Sequence, residues 1–186
     1  MGNNNSQNLI TKESIFTALM ILMEKKNFKE ISITELTKKA GVSRMAFYRN
    51  YNNLEDIITD YLDEFFEESY KELVICEKND NNEILIRFFS YFREHKKLID
   101  NLIKASLANL ILERCTNIFY SLSKEVVCSN PHPEEVQRFI IEFVSGGLYK
   151  ILIEWAKNGM KESDEKMGSI IHSLMTGASV KTIISY

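Results

Sequence analysis

Residues 33–51 read ITELTKKAGVSRMAFYRNY, and this stretch predicts two short helices joined by a tight turn at Gly41. Ser32 and Glu35 form a capping box that opens the first helix, and Ser43 supplies the N-cap of the second. Apolar residues along both helices can pack on a preceding helix and leave the polar face of the second one outward. This arrangement is typical of a helix-turn-helix, whose second helix enters the major groove of DNA.

The charge distribution is consistent with that prediction. The chain of 186 residues has a net charge of −3, yet residues 1–52 carry +4 and the remainder carries −7. A basic head on an acidic body attracts phosphates locally and keeps the rest of the molecule away from a polyanion. Such a split also arises by chance in lysine-rich proteins. The charge asymmetry therefore supports DNA binding only because it coincides with the predicted helix-turn-helix.

Helical periodicity runs through nearly the whole sequence, and no segment alternates as a strand does. We predict an all-α fold of about nine helices. Residues 1–53 form a three-helix, helix-turn-helix DNA-binding domain, and residues 54–186 form a helical ligand-binding and dimerisation domain. The first helix is expected from about Thr11, behind a polar Asn-rich tail, and the last over about 163–184. Asn53 caps the long fourth helix.

Composition and motifs exclude several classes of protein. No apolar run approaches the roughly 20 residues that span a membrane, and the polar N-terminus does not resemble a secretory signal. We therefore expect a cytoplasmic protein with no membrane partner. The three cysteines (Cys76, Cys115 and Cys128) and the three histidines are scattered, so no metal site is predicted. Nucleotide-binding, hydrolase and metalloprotease motifs are absent, so we predict neither catalysis nor a cofactor.

The segment 134–158 is apolar on more than one side and contains Gly146-Gly147. Each glycine costs roughly 1 kcal/mol of helix propensity, a cost that is offset where another backbone approaches closely. Burial inside one subunit and contact with a second copy both account for this pattern. We favour a dimer, because a helix-turn-helix generally works as a twofold pair. The residues predicted at the interface are Phe143, Gly146, Gly147, Ile151, Trp155, Ile170, Ile171 and Leu174.

Residues 41–51, together with the Asn-Leu-Glu-Asp-Ile segment at 53–57, resemble the DNA-binding domain of TetR-type bacterial transcriptional regulators. Residues 139–163 are similar to the C-terminal region of one branch of that family, which includes the activator of a dihydroxyacetone kinase operon. The resemblance implies an omega-shaped, all-helical homodimer whose last two helices form a four-helix bundle, and a ligand cavity in each subunit. Leu54 departs from the pattern, because family members often carry Lys there as a phosphate contact.

The polar face of the second short helix supplies the candidate DNA contacts. Arg44 is the candidate for base readout, because a guanidinium can hold O6 and N7 of guanine with two hydrogen bonds; a phosphate contact or a solvated position are the alternatives. Met45 can contact a thymine methyl group, and the Tyr48 hydroxyl suits a phosphate. The resemblance adds Thr34 and Asn53 near phosphates. The predicted DNA-binding residues are Thr34, Lys38, Ser43, Arg44, Met45, Tyr48, Arg49 and Asn53.

Aromatic and sulfur-containing residues in the second half of the chain can line an apolar effector pocket, although the same spacing is typical of ordinary core. The predicted pocket residues are Phe66, Tyr70, Phe88, Tyr91, Phe92, Cys115 and Phe119. We therefore predict a homodimeric regulator that binds a double-stranded DNA operator as a repressor and is released by a small-molecule effector. The alternative is an effector-responsive coactivator that acts mainly through a partner protein, with weak DNA contact.

Overall fold

The computed structural model describes residues 2–75, 81–125 and 133–176. Within these ranges the chain forms nine α-helices, one 3₁₀ turn at Phe28–Glu30 and no strand, which confirms the predicted all-α fold. The helices are α1 (Gly2–Lys25), α2 (Ile33–Ala40), α3 (Arg44–Asn50), α4 (Leu54–Ile75), α5 (Asn81–Glu94), α6 (Lys96–Lys104), α7 (Asn109–Glu125), α8 (Glu134–Lys157) and α9 (Asp164–Met175).

Helices α1, α2 and α3 pack around a small apolar core. Ile15, Leu36 and Phe47, one from each helix, are fully buried there, as the apolar spacing predicts. The hydroxyl of Ser32 accepts a hydrogen bond from the backbone N–H of Glu35 at 3.2 Å and so caps α2. Helix α2 ends at Gly41, whose φ of 69° lies in the left-handed region that favours glycine. Cap and glycine together fix the angle at which α3 leaves the turn.

Helix α4 follows this three-helix unit in the chain and also contacts it through side chains. The carboxylate of Asp60 accepts hydrogen bonds from Lys12 Nζ at 2.9 Å and from the Tyr51 hydroxyl at 3.0 Å. The rings of Phe16 and Tyr61 stack with their centroids 3.5 Å apart. Asp60 is therefore partly covered by α1, which packs against this side of α4.

Helix α6 rests on the C-terminal half of α1. The side-chain amide of Asn101 donates a hydrogen bond to the backbone carbonyl of Met20 at 3.2 Å. Lys104 Nζ donates to the backbone carbonyls of Met23 at 3.1 Å and Glu24 at 3.3 Å. The last carbonyls of a helix carry partial negative charge, so a lysine stabilises this end of α1.

Helices α5 and α9 cross at close range. A Cβ atom placed on Gly168 would lie 2.6 Å from Cγ1 of Ile86 and 3.2 Å from its backbone nitrogen, so glycine is what allows this crossing. Arg93 holds the turn between α8 and α9: its Nε donates to Asp164 at 2.8 Å and its Nη1 to the Met160 carbonyl at 2.9 Å. The same guanidinium lies over the Trp155 ring, 4.8 Å from its centroid.

The start of helix α1 differs from the sequence prediction. Helix α1 begins at Gly2 rather than near Thr11, so the polar tail was wrongly assigned as non-helical. Helix α9 begins as predicted and has bounds Asp164–Met175; the predicted continuation to about residue 184 lies outside the described residues. Cys76, Cys128 and His132 also lie outside them. Among the helices that are described, none combines the length and apolar character that crossing a membrane requires.

Candidate DNA-binding surface and effector cavity

Helix α3 presents one face to the core and the other to solvent. Phe47 is buried, whereas 74% of the Met45 side-chain surface and 51% of that of Tyr48 are exposed. Arg44 and Arg49 are exposed beside them. The structure thus brings these four predicted contact residues to one outward surface, where the Tyr48 ring also packs edge-on against Phe47.

The N-terminus of α3 is capped locally. The hydroxyl oxygen of Ser43 accepts a hydrogen bond from the backbone N–H of Ala46 at 3.0 Å, which leaves its own proton available to donate outward. This geometry fits both roles predicted for Ser43, the cap and a donor to a DNA backbone. Thr34 and Lys38, on α2, are also exposed.

The cations of this surface are available to a polyanion. Among the residues that the structure describes, Lys38, Arg44 and Arg49 form no ion pair, in contrast to Lys26, which is paired with Glu35. The Arg44 guanidinium lies 6.0 Å from the centroid of the Tyr48 ring, within the range of a cation–π contact. That contact restricts the conformations of the Arg44 side chain in the free protein.

Side chains of the protein itself form hydrogen bonds with the backbone N–H groups at the start of α4. The side-chain oxygen of Asn53 accepts a hydrogen bond from the Asp56 backbone N–H at 3.0 Å, and the Asp56 carboxylate accepts from the backbone N–H groups of Asn52 at 2.8 Å and Asn53 at 3.4 Å. The hydrogen bond from Asn52 lowers the pKa of Asp56. This capping box is the one that the sequence predicts. The Asn53 side chain is therefore engaged in the cap, and the negative charge of Asp56 would repel a phosphate at this position.

A cavity of about 440 Å³ lies within the second half of the chain, enclosed by α4, α5, α7, α8 and α9. Four of the seven predicted pocket residues line it. The sequence did not predict Ser69, Leu148 or His172, which also face this space. Ser69 lies three positions after Phe66 on the same face of α4, and that spacing was the available signal. The four predicted residues that line the cavity are Phe66, Phe88, Cys115 and Phe119.

The other three predicted pocket residues lie elsewhere, which corrects that prediction. Phe92 is fully buried in the core. The Tyr91 hydroxyl donates to the backbone carbonyl of Phe65 at 3.0 Å, on the side of α5 that faces α4 and His95. Tyr70 borders a separate surface recess next to Asp63 and Arg114. Aromatic spacing on its own helix cannot distinguish these positions, because the neighbouring helices decide which side is filled.

The outer face of α8 is apolar, and the described residues of the subunit leave it uncovered. Phe143 is 83% exposed, and the neighbouring side chains of Val136, Phe139 and Ile140 are exposed too. A side chain placed on Gly146 or Gly147 would meet no other atom of the described chain within 4 Å. Both glycines therefore lie on the open side of the helix, where no described part of the same chain explains their small size.

Two residues predicted at the dimer interface belong to the interior instead. Only 3% of Trp155 and 2% of Ile171 are exposed. The Trp155 ring packs edge-on against Phe89 and donates its N–H to the Glu162 carbonyl at 3.2 Å. These two side chains are wrongly placed by the sequence prediction, because α5 covers this side of α8 and α9. Ile151, Ile170 and Leu174 are partly buried.

Comparison with known proteins adds to this geometry. The TetR-type family model described as the transcriptional regulator C-terminal region matches residues 79–177, slightly more than half of the chain. No curated protein matches the sequence significantly.

Solved structures resemble the whole chain. The dihydroxyacetone kinase operon activator DhaS is similar, with 22% identity, a TM-score of 0.60, and coverage of 91% of this chain and 96% of its own. Lin0861 from Listeria innocua is similar, with 16% identity, a TM-score of 0.76, and coverage of 96% and 95%. FadR from Bacillus subtilis, solved in complex with stearoyl-CoA, is similar, with 16% identity, a TM-score of 0.56, and coverage of 89% and 98%.

At these identities the structural likeness concerns the fold, and the family model carries the assignment. The family and the regulators among its structural neighbours are transcriptional regulators, not enzymes. Taken with the helix-turn-helix and the all-helical body, the match establishes that this chain belongs to the TetR-type family of transcriptional regulators.

Proposed function

We propose that this regulator is a homodimer that binds a double-stranded DNA operator in a sequence-specific manner, as a repressor that a small molecule releases. The observation that carries the proposal is the outward face of α3. Arg44, Met45, Tyr48 and Arg49 are exposed there, with the cations unpaired among the described residues, while Phe47 anchors the helix from behind. A rigid helix with a polar, cationic face is what major-groove recognition requires.

Each side chain on this surface has a role that follows from its chemistry. Arg44 reads a guanine edge and Met45 contacts a thymine methyl group. Ser43, Tyr48 and Arg49 contact the phosphate backbone, and so do Thr34 and Lys38 on α2, which orient the helix without reading sequence. Asn53 contributes less than its position suggests, since its side chain caps α4.

Two domains divide this work. We assign DNA binding to residues 1–53 and ligand binding and dimerisation to residues 54–186. The second copy binds along the outer face of α8, with Phe143 at its centre and Gly146 and Gly147 where the two backbones approach most closely. Ile151, Ile170 and Leu174 extend this surface. An exposed phenylalanine beside a pair of glycines is costly in a monomer and favourable in a helix pair.

Effector release follows from the connections of α4. Phe66 and Ser69 on α4 face the cavity, and nearer its start the same helix is tied to α1 through Asp60. A ligand that prefers a different position of α4 therefore favours a different position of the DNA-binding heads. Binding is lost when the two α3 helices no longer match successive major grooves, about 34 Å apart. FadR, the structural neighbour bound to stearoyl-CoA, supports a ligand-responsive body.

One observation favours the alternative, a coactivator that acts through a partner protein with weak DNA contact. Leu54 stands where a lysine often contacts phosphate, and the Asp56 carboxylate occupies the first amides of α4. A gel-shift assay of the full chain against the DNA upstream of its own coding region separates the two functions. The repressor account expects a discrete complex that competitor DNA of random sequence does not displace; no complex, or equal displacement by random DNA, favours the coactivator.

A further inference from the structure

The cavity described above is lined almost entirely by hydrocarbon and aromatic groups. Phe66, Phe88, Ile118 and Phe119 supply much of its wall, and none of the described residues that line it is Lys, Arg, Asp or Glu. A charged ligand group inside would lose its hydration without meeting an ammonium, guanidinium or carboxylate group of a described lining residue. The lining therefore disfavours ligands that carry a charged group, whatever their shape.

Burial keeps Cys115 from adding a charge to this wall. Removal from solvent raises the pKa of its thiol to about 12, so the group is a neutral thiol at physiological pH. His172 is the one histidine among the described lining residues.

Ser69 is the polar group that distinguishes this cavity from plain core. It is only 4% exposed and lines the cavity, and its hydroxyl is not one of the fully buried side-chain atoms that lack a partner, so a ligand can reach it. Two nearby hydroxyls already have partners: Thr116 donates to the Ser145 hydroxyl at 3.0 Å, and Thr176 donates to the His172 carbonyl at 2.9 Å. A ligand oxygen or N–H group that enters the cavity can pair with this hydroxyl, and such a hydrogen bond favours binding.

We propose that the cavity binds an uncharged, mainly hydrocarbon molecule carrying one hydrogen-bonding group, such as a hydroxyl or carbonyl, which pairs with the Ser69 hydroxyl. Carboxylates and acyl-CoA thioesters of similar chain length are excluded, the former by their charge and the latter also by the phosphates of the CoA. This inference rests on the proposed function for its regulatory meaning and specifies the ligand class of that same site.

Displacement of the neutral fluorophore N-phenyl-naphthylamine from the full-length protein tests the proposal. Decanol and decanoate have the same chain length and differ in charge at about pH 8, where the carboxyl group is ionised. We expect the dissociation constant of decanol to be at least about tenfold lower than that of decanoate. Ser69→Ala should raise the decanol constant about fivefold, the effect of one lost hydrogen bond, whereas Ser69→Phe should fill the space and abolish fluorophore binding.

Ser169→Ala is the matched control. Its hydroxyl is exposed and already donates to the Glu165 carbonyl at 2.9 Å, so this change should leave both ligands unaffected. Circular dichroism establishes whether each variant folds. If Ser69→Phe does not fold, Ser69→Ala alone tests the proposal. Equal or tighter binding of decanoate, an unchanged decanol constant in Ser69→Ala, or no displacement by either ligand would overturn the proposal. The assay contains no DNA, so a failure of operator binding is recorded separately in the gel shift.

Discussion

At the scale of single residues, Arg44 carries the sequence specificity proposed for this protein. Its guanidinium is exposed and restrained by the Tyr48 ring. We predict that Arg44→Ala weakens binding to the cognate operator by roughly 1–3 kcal/mol and relaxes specificity at one base pair per half-site. Fluorescence anisotropy with cognate and scrambled duplexes measures both effects.

The comparison between the two duplexes decides what Arg44 does. An equal loss on cognate and scrambled DNA would reassign it to the phosphate backbone. Arg87→Ala is the matched control, because Arg87 is an exposed arginine on α5, distant in sequence from the head and paired with Glu83 at 2.8 Å. That variant should bind both duplexes as the unmodified chain does.

Asp56 gives a prediction about pH. Backbone hydrogen bonds from Asn52 and Asn53 lower its pKa from the ordinary 3.8, so its carboxylate stabilises the fold above that value. The contribution is lost as the pH falls through the lowered pKa of the folded state. Asp56→Asn should therefore cost about 1 kcal/mol near neutral pH, as for a lost cap. Urea unfolding of both proteins from neutral to acidic pH should show the difference shrinking below about pH 4; a difference independent of pH contradicts this assignment.

Residues whose partners lie close in sequence were the predictable ones. The caps at Ser32, Ser43 and Asn53 depend on atoms three positions away, and all three form. Asp60 and Ser69 were not predictable in the same way, because their surroundings come from other helices. Position on one helix indicates which face a side chain occupies, but not what covers that face.

At the scale of helices, the crossing of α5 and α9 depends on Gly168. Alanine there brings Cβ to 2.6 Å from an Ile86 side-chain carbon and 3.2 Å from a backbone nitrogen. Overpacking of this kind costs about 1–3 kcal/mol, partly offset by the better helix propensity of alanine. We predict a net loss of about 1–2 kcal/mol for Gly168→Ala in urea unfolding. Unchanged or increased stability would mean that the two helices can separate freely.

Helix α8 illustrates how far the sequence predicts an element. Its apolar residues cover more than one side, and the structure buries one of those sides inside the subunit and exposes another. The sequence could not assign the sides: Trp155 belongs to the inside because Phe89 and Arg93 lie against it, while Phe143 faces out. The interface prediction therefore mixed residues of both faces.

At the scale of the whole molecule, the proposed dimer depends on that outer face. Phe143→Asp places two carboxylates in a twofold contact and should raise the dimer dissociation constant roughly 100-fold or more. Because Phe143 is 83% exposed in the single chain, the subunit should still fold. Analytical ultracentrifugation measures the dissociation constant.

Met45→Asp is the control for the dimer experiment. Met45 is also a large exposed apolar side chain, 74% exposed, but it lies on the DNA-binding head. Its replacement should leave the dimer intact and impair only DNA binding. A protein that sediments as a monomer without any substitution, or a Phe143→Asp variant that remains dimeric, would exclude α8 as the proposed interface.

The most direct test of the central claim is selection of duplexes from a random DNA pool by the purified full chain, followed by a salt titration on the recovered sequence. The account predicts a twofold-symmetric site with half-sites about one helical turn apart, bound by two copies of the chain. The logarithm of the binding constant should fall linearly and steeply with the logarithm of salt concentration, because phosphate contacts release counterions. A pool that enriches for no duplex, or binding that does not change with salt, would contradict the assignment of α3 as a DNA-reading helix.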